Sequence, residues 1–148
     1  MIEAVNDRDV SDIIKLISKS IKTCIDVLNA EADSLIACSV DEILWWKCHQ
    51  ESTAHYIYRV DGKVVGTILI KDFCYISNLF VDPDFHHQGI GKQLILHALA
   101  VCKRCSPQST VKLNSSFYAA SFYQKMGFEQ IGNTKDLPGG CIHFERVL

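Results

Sequence analysis

The sequence has few prolines, little net charge and no internal repeat, and each shortage excludes a class of protein. With 3 prolines among 148 residues and no Pro/Gly-rich stretch, no segment looks like an interdomain linker. We therefore expect residues 1–148 to form a single domain. The formal net charge of -2 provides no general attraction to nucleic acid or to anionic lipid. Neither is expected as a partner.

Long apolar runs are also missing. No stretch approaches the roughly 20 apolar residues that a membrane-spanning helix requires. The opening residues MIEAVNDRDV carry acidic side chains and lack the apolar centre of a signal peptide. The hydrophobic share of 48% and the charged share of 22% are typical of a globular domain with its own core. These features predict a cytoplasmic protein.

Cysteine is abundant, with 7 residues, but its spacing does not indicate a metal site. Cys102 and Cys105 form a CxxC pair, yet no second pair of ligands follows at the spacing that zinc requires. The pair also closes a predicted helix, whereas a redox pair would open one. The adjacent His86 and His87 have no third ligand at a suitable distance in the sequence. No metal is expected, and the cysteines are interpreted as small apolar residues.

Hydrophobic periodicity predicts helices first and then a mixture of strands and helices. Apolar residues recur at helical spacing from Val10 to Ile21, and helix continues with interruptions to about Glu51. The segments HYIYRV and KVVGTILI flank an Asp61-Gly62 pair, which is typical of a β-hairpin. The later segments read as a strand (CYISNLFV), a helix after a glycine loop, a strand (TVKLN), a helix (FYAASFYQKMGF) and two strands (FEQIGNT, GCIHFERVL). This order predicts an α/β sheet of mixed direction with helices on both faces.

The segment LFVDPDFHHQGIGKQLI contains the strongest chemical signal. A strand leads through a glycine loop directly into an amphipathic helix, whose free N–H groups and dipole form an anion site. A Walker A loop is excluded because His86 replaces its first glycine and Gln93 replaces the Ser or Thr after the lysine. The dinucleotide pattern GxGxxG fails at Leu94. The loop therefore indicates phosphate binding of another kind.

Two motifs carry a resemblance to a known family. HHQGIGKQL resembles the acetyl-CoA loop of the GNAT superfamily, and NSSFYAASFYQKMGFE resembles that family's second signature. The resemblance runs from about Tyr56 to the C-terminus. It implies a single GNAT-like α/β domain with a mixed, mostly antiparallel sheet of about six to seven strands. It also implies an N-acetyltransferase that uses acetyl-CoA as cosubstrate and has a small-molecule or peptide amine as acceptor.

The same resemblance assigns roles to individual residues. It implies that the pantetheine arm pairs with the backbone of Leu79, Phe80 and Val81. The remaining cofactor contacts that it implies are His86, His87, Gln88, Gly89, Ile90, Gly91, Lys92, Asn114 and Ser116. His86 departs from the family, which usually has Arg or Gln at that position. Tyr123 occupies the position of a general acid for the departing thiolate; the alternative is a buried tyrosine with its hydroxyl on a backbone carbonyl.

The acceptor side is less defined. Counting back from Leu79 in steps of two places Ser77 and Tyr75 on one face of the strand, and neither is a carboxylate. Asp72 lies in the preceding turn, and Glu42, on a predicted N-terminal helix, is a further candidate carboxylate. We therefore expect water-mediated removal of the amine proton, with Tyr75, Ser77 and Asp72 lining the acceptor site. The alternative function is a CoA-binding regulatory module without turnover, and a homodimer through exposed sheet edges is one expected assembly.

Overall fold

The computed structural model describes residues 1–106, 108–135, 137 and 139–148. Within that part the strands are β1 (Ile2–Ala4), β2 (Thr53–Val60), β3 (Lys63–Lys71), β4 (Tyr75–Val81), β5 (Thr110–Ser115), β6 (Glu129–Gln130) and β7 (Ile142–Val147). The helices are α1 (Val10–Cys24), α2 (Asn29–Cys48), α3 (Ile90–Cys105) and α4 (Ala120–Lys125). Among the described residues, no helix has both the length and the apolar content needed to cross a membrane.

The β2–β3 hairpin forms where the sequence predicts it. Asp61 and Gly62 have φ values of 48° and 79°, so both lie in the left-handed region. Two consecutive residues of positive φ make the turn whose twist matches that of the flanking strands. An Asp-Gly pair adopts this conformation at low cost, which is why the hairpin was predictable from local sequence.

All seven strands belong to one sheet, in the order β1-β2-β3-β4-β5-β7-β6. Its neighbours are antiparallel except for β4 and β5, which run parallel. One core lies under α3, where Leu94, Ile95 and Ala98 pack on the sheet and are fully buried. A second core lies on the opposite face under α1 and α2, around Ile13 and Ile43. The predicted fold class, a mostly antiparallel mixed sheet with helices on both faces, is confirmed.

The sheet divides at its parallel pair. Tyr75 pairs with Lys112 and Ile76 with Leu113, and no further residue pairs join β4 to β5 in the described chain. The remainder of β4, from Ser77 to Val81, therefore diverges from β5. Parallel strands connected through α3 meet at one end, and the splay opens toward the end of β4 that leads into the glycine loop.

A β-bulge in β4 alters the predicted alternation of its side chains. Against β3, Asn78 pairs with Leu69 and Ile76 with Ile70, so Ser77 is an extra residue. Ile76 and Leu79 consequently contact the same core, under α3. The predicted alternation, which placed Tyr75 with Leu79 on one face and Ile76 on the other, therefore fails before Ser77, because the bulge shifts the two-residue period by one.

Two predicted elements near the C-terminus, a helix and the strand after it, are shorter than their sequence suggests. The helix predicted over FYAASFYQKMGF is reduced to Ala120–Lys125. Before it, the Phe117 amide donates to the Gly139 carbonyl at 3.0 Å, which holds that residue in a turn. The end of the helix is as predicted, since Gly127 lies at the C′ position with φ 87°. β6 has two residues and pairs with β7 alone.

Candidate active site

The splay between β4 and β5 opens into a cleft of about 740 Å³. Its walls are the end of β4, the glycine loop, the first turn of α3, the segment around α4 and the C-terminal part of α1. Of the residues predicted to bind cofactor or to act in catalysis, the cleft collects Leu79, Phe80, Val81, His86, His87, Gly89, Ile90, Gly91, Lys92, Ser116 and Tyr123. Two distant motifs thus meet around one cavity.

One end of the cleft is the N-terminus of α3. The first bond of this helix runs from the Gln93 amide to the Gly89 carbonyl at 3.0 Å. By helix geometry the N–H groups of Ile90, Gly91 and Lys92 therefore have no acceptor within the helix. Gly89 enters the helix with φ 80°, a conformation that suits glycine. The result is a set of aligned donors at the positive end of a dipole, which favours an anionic ligand.

The charged side chains of this cleft reinforce that preference. Among the described residues that line it, the charged ones are Lys92 and Lys125, both cations. Gly91 sits where a Cβ atom would lie 3.3 Å from the Phe122 ring, so the absence of a side chain lets α3 pack closely beside α4. The cleft is therefore suited to a long ligand with several negative charges.

The loop between β4 and α3 is tied to α1 by an ion pair. The Lys19 ammonium lies 2.8 Å from a carboxylate oxygen of Asp82, whose side chain is 3% exposed. Burial alone would raise the pKa of Asp82, but hydrogen bonds from Lys19, the Asp84 amide and Lys63 hold this pKa below its ordinary value. Asp82 therefore stays ionised and fixes the strand end from which the loop departs.

The backbone of β4 faces two directions. The Asp82 amide donates to the Val65 carbonyl of β3 at 2.8 Å, and Phe80 lies opposite Thr67 in the same ladder. Since backbone groups alternate along an antiparallel strand, Phe80 directs its N–H and C=O toward β3. Leu79 and Val81 direct theirs into the cleft. Of the three predicted backbone contacts, these two are placed to pair with an extended ligand.

The Val81 carbonyl already has donors in this structure. His86 Nε2 donates to it at 2.9 Å, and the Ser20 hydroxyl donates to it at 3.3 Å. On the other side of the imidazole, the Tyr118 hydroxyl lies 3.2 Å from Nδ1. His86 thus contacts β4 through its side chain and links the glycine loop to the segment before α4. The sequence motifs did not indicate Ser20 or Tyr118, because their contacts are non-local.

Tyr123 projects from α4 into the wall of the cleft. Its ring packs on Phe122, Phe128 and Phe144, with centroids 5.3, 5.9 and 6.1 Å away. Burial raises the pKa of its hydroxyl above the ordinary value of 10. Its role as a general acid and the alternative of a buried structural tyrosine both stay predictions.

Other predicted residues lie outside the cleft. Gln88 is exposed on the loop. Asp72 occupies the β3–β4 turn with φ 51°, at the end of β4 that is remote from the glycine loop. Asn114 points its side chain to the face of β5 opposite α3, away from the cleft lining. Ser77 lies at the bulge, where its hydroxyl is buried without a hydrogen-bond partner in the described chain.

That opposite face of the sheet carries a polar network. Tyr75 receives a hydrogen bond from the Asn114 side chain, and the Oδ1 atom of Asn114 in turn contacts Nδ1 of His143 on β7. Burial raises the pKa of Tyr75, as do the neighbouring Glu42 carboxylate and Cys141, while the bond from Asn114 lowers it. Nearby, Glu42 forms an ion pair with Lys71. Sequence reasoning missed His143, although its alternation with buried Phe144 in β7 was visible.

The fold and cleft together define a class: a small α/β domain in which a splayed strand and a helix N-terminus receive an extended anionic ligand. A protein-family model described as an acetyltransferase (GNAT) domain matches residues 35–143, more than half of the chain. The chain therefore belongs to the GNAT acetyltransferase family, a family of acyltransferases. The family resemblance carried by the two motifs is confirmed.

Curated relatives match a limited stretch. A peptidyl-lysine N-acetyltransferase, YjaB, from Salmonella typhimurium is 40% identical over 62 residues, which cover 41% of this chain and 40% of that protein. YjaB from Escherichia coli is 33% identical over 72 residues, covering 48% of this chain and 46% of that protein. The matched stretch thus spans less than half the length of these relatives.

Solved structures match the whole fold. A GCN5-related N-acetyltransferase from Rhodopseudomonas palustris has a TM-score of 0.86 at 18% identity and covers 100% of this chain and 95% of its own. The PaiA N-acetyltransferase from Thermoplasma acidophilum, solved in complex with coenzyme A, has a TM-score of 0.81 at 20% identity and covers 100% of this chain and 98% of its own. Identities this low establish the shared fold alone.

Proposed function

We propose that this protein is an N-acetyltransferase that transfers the acetyl group of acetyl-CoA to a primary amine in a ternary complex. The observation that carries the proposal is the splay of β4 from β5, which opens a cleft that ends on the free amides of α3. An acyl-CoA has the matching shape, with an extended amide-containing arm and a pyrophosphate. The PaiA structure contains coenzyme A, which supports the same choice of ligand.

In this arrangement the pantetheine amides pair with the backbone of Leu79 and Val81 and continue the sheet. The pyrophosphate binds the N–H groups of Ile90, Gly91 and Lys92. A pantetheine amide that donates to the Val81 carbonyl must displace the His86 side chain from it or share this acceptor with His86. The thioester then lies toward the apex of the splay, near the bulge at Ser77.

The reaction forms a C–N bond and breaks the C–S bond. The neutral amine attacks the thioester carbonyl, the tetrahedral intermediate collapses, and the departing sulfur takes a proton from the Tyr123 hydroxyl. The second proton that the nitrogen loses restores the phenol. Burial keeps the Tyr123 hydroxyl protonated at neutral pH, so the proton donor is in its active form.

The proton transfer is energetically feasible because both groups share one environment. A thiol in water has a pKa of about 8.5, below that of tyrosine at about 10, so the transfer would be uphill by about 2 kcal/mol in water. The same burial that raises the pKa of Tyr123 also disfavours the thiolate, which raises the pKa of the thiol. Because burial raises both pKa values in the same direction, the uphill cost of the transfer stays on the order of 2 kcal/mol.

The test has two stages. Calorimetric titration with acetyl-CoA measures cofactor binding, and release of free thiol in the presence of amines measures turnover. A lysine peptide is the first acceptor to test, since two relatives are named peptidyl-lysine N-acetyltransferases. Binding with thiol release supports the proposal. Binding without thiol release from any amine would favour the CoA-binding regulatory module, and absence of binding refutes both.

Tyr123→Phe tests the acid role within that assay. We expect kcat to fall about 10²-fold, the scale of general acid catalysis, while the Kd for acetyl-CoA changes less than about threefold. The matched control is Tyr58→Phe, because Tyr58 packs against the same core but does not line the cleft. Equal losses of kcat and of affinity in Tyr123→Phe would contradict the role.

A further inference from the structure

The network of Tyr75, Asn114 and His143 lies beside the apex of the splay, the point where β4 and β5 cease to pair. The last paired residues of β4 and β5 are Ile76 and Leu113, so Asn114 is the first residue of β5 beyond the pairing. Asn114 lies directly opposite His143 in the antiparallel β5–β7 ladder. Strands in a sheet are about 4.8 Å apart, so His143 stands one strand from the apex.

These side chains occupy the face of the sheet opposite Tyr123. Leu113 and Phe144 point into the core under α3, as does Tyr123. Because side chains alternate along a strand, Asn114 and His143 point to the other face. A thioester at the apex would have Tyr123 on one side and this network on the other. An amine that attacks the carbonyl opposite the acid would therefore approach from the network.

The hydrogen bond fixes the tautomer of His143. The Oδ1 atom of Asn114 is an acceptor, so the Nδ1 atom of His143, which contacts it, must carry the hydrogen. In a neutral imidazole Nε2 then holds the free lone pair. Asn114 also neighbours Tyr75, whose pKa its side chain lowers. The imidazole is thus held in the form that accepts a proton at Nε2.

A second polar group lies near the apex. The Ser77 hydroxyl is buried at the bulge without a hydrogen-bond partner in the described part of the chain. A buried hydroxyl without a partner is unfavourable.

We propose that His143, positioned by Asn114, is the base that removes the proton from the acceptor ammonium. This inference rests on the proposed function and replaces the water-mediated route expected from sequence. Nε2 takes one proton from the ammonium, the resulting amine attacks, and the imidazolium later releases that proton to solvent. Asn114 acts through the imidazole and is a positioning residue.

The charges around His143 are mixed. From β5 the nearest charged residue is Lys112, and from β7 it is Glu145, whose carboxylate lies 3.8 Å from the Lys112 ammonium. The other titratable groups that surround the network are Tyr75, Glu42, Cys141 and Glu129. The pH test below therefore compares variants with the wild type over one common range.

The experiment measures kcat/KM for acetyl-CoA with a blocked lysine peptide and with a peptide that has a free N-terminus, from pH 5 to pH 10. In the wild type we expect kcat/KM to rise with pH and then level off, at the same pH for both amines, because a group of the enzyme and not the amine sets the rise. In His143→Gln we expect a loss of about 10²-fold at neutral pH. The variant should regain activity as pH approaches the pKa of each amine, because the free amine then no longer needs a base.

Controls separate this role from folding and from the proposed function. The Kd for acetyl-CoA should stay within about threefold of wild type in His143→Gln, and His97→Gln, on α3 at the other face, should keep the wild-type profile. Asn114→Ala should lose the Nδ1–H tautomer of His143 in a ¹H–¹⁵N spectrum of the imidazoles. A wild type that releases no thiol refutes the proposed function. Two results with an active wild type would overturn the base role alone. One is that His143→Gln keeps the wild-type fall of kcat/KM at low pH. The other is that His143 carries its hydrogen on Nε2.

Discussion

Gly89 and Gly62 form a matched pair that isolates the contribution of the glycine loop to cofactor binding. Both have positive φ, 80° and 79°, and an added Cβ would meet no protein atom within 4 Å at either position. An L-residue in this conformation costs about 1–2 kcal/mol, partly offset by about 0.4–1 kcal/mol from the stiffer unfolded chain. We expect Gly89→Ala and Gly62→Ala to lose about 1 kcal/mol of unfolding free energy each.

The two variants should differ in affinity. The Gly89 methyl group would project into the cleft beside the free amides of α3, whereas Gly62 lies in the β2–β3 turn outside it. We expect the Kd for acetyl-CoA to rise about tenfold or more in Gly89→Ala, which corresponds to about 1.4 kcal/mol. Gly62→Ala should keep the wild-type Kd. A loss of 1 kcal/mol from an ordinary stability leaves the protein almost fully folded, so it does not affect Kd by itself.

Thermal unfolding and calorimetric titration on the same samples provide the assay. For a chain of this length 1 kcal/mol lowers the midpoint by about 3 °C, and both variants should show a similar shift. Refutation is straightforward: if both variants bind acetyl-CoA as the wild type does, the loop amides do not hold the ligand. A rise in Kd for Gly62→Ala equal to that for Gly89→Ala would show that the effect is general.

Three further predictions concern the scaffold. Gly66→Ala should cost about 1–3 kcal/mol in denaturant unfolding, because its Cβ would lie 2.9 Å from the fully buried Leu94; an unchanged midpoint would show that α3 can move away. Burial lowers the pKa of His55 to about 4, so the free energy of unfolding should fall by about 3 kcal/mol between pH 6.5, where the contribution is complete, and pH 4, where it is lost. His55→Gln should flatten this part of the curve of unfolding free energy against pH. A slope equal to that of the wild type would contradict the prediction. Asp82→Asn should cost about 1 kcal/mol near neutral pH, and because the folded-state pKa is lowered this difference should vanish as pH falls below about 4; a difference that persists in acid would exclude the Lys19 ion pair as its source.

Local sequence predicted the features that local conformation decides. The Asp61-Gly62 turn, the glycine before α3 and Gly127 after α4 each need a left-handed residue, and each adopts it. The predicted anion site follows from the same cause, since a glycine loop leading into a helix exposes free amides wherever it occurs.

Non-local contacts decided what sequence reasoning missed. The bulge at Ser77 depends on how β4 pairs with β3 and leaves no mark in the order of residues along β4. The placement of His143 beside Asn114 depends on β7 entering the sheet between β5 and β6. The bond from His86 to the Val81 carbonyl depends on how the loop folds back over five residues. Each of these contacts required the tertiary structure.

The two residue pairs that join β4 to β5 also have a mechanical consequence. They leave the molecule as two half-sheets, β1–β4 and β5–β7, connected by a narrow seam of backbone bonds and by α3. A pantetheine arm that pairs with Leu79 and Val81 would extend the pairing along β4, so the two half-sheets would unfold as one cooperative unit. Ligand at a hundredfold excess over Kd would then add about 2.7 kcal/mol to global stability, and amide exchange along the seam should slow more than exchange anywhere else in the sheet.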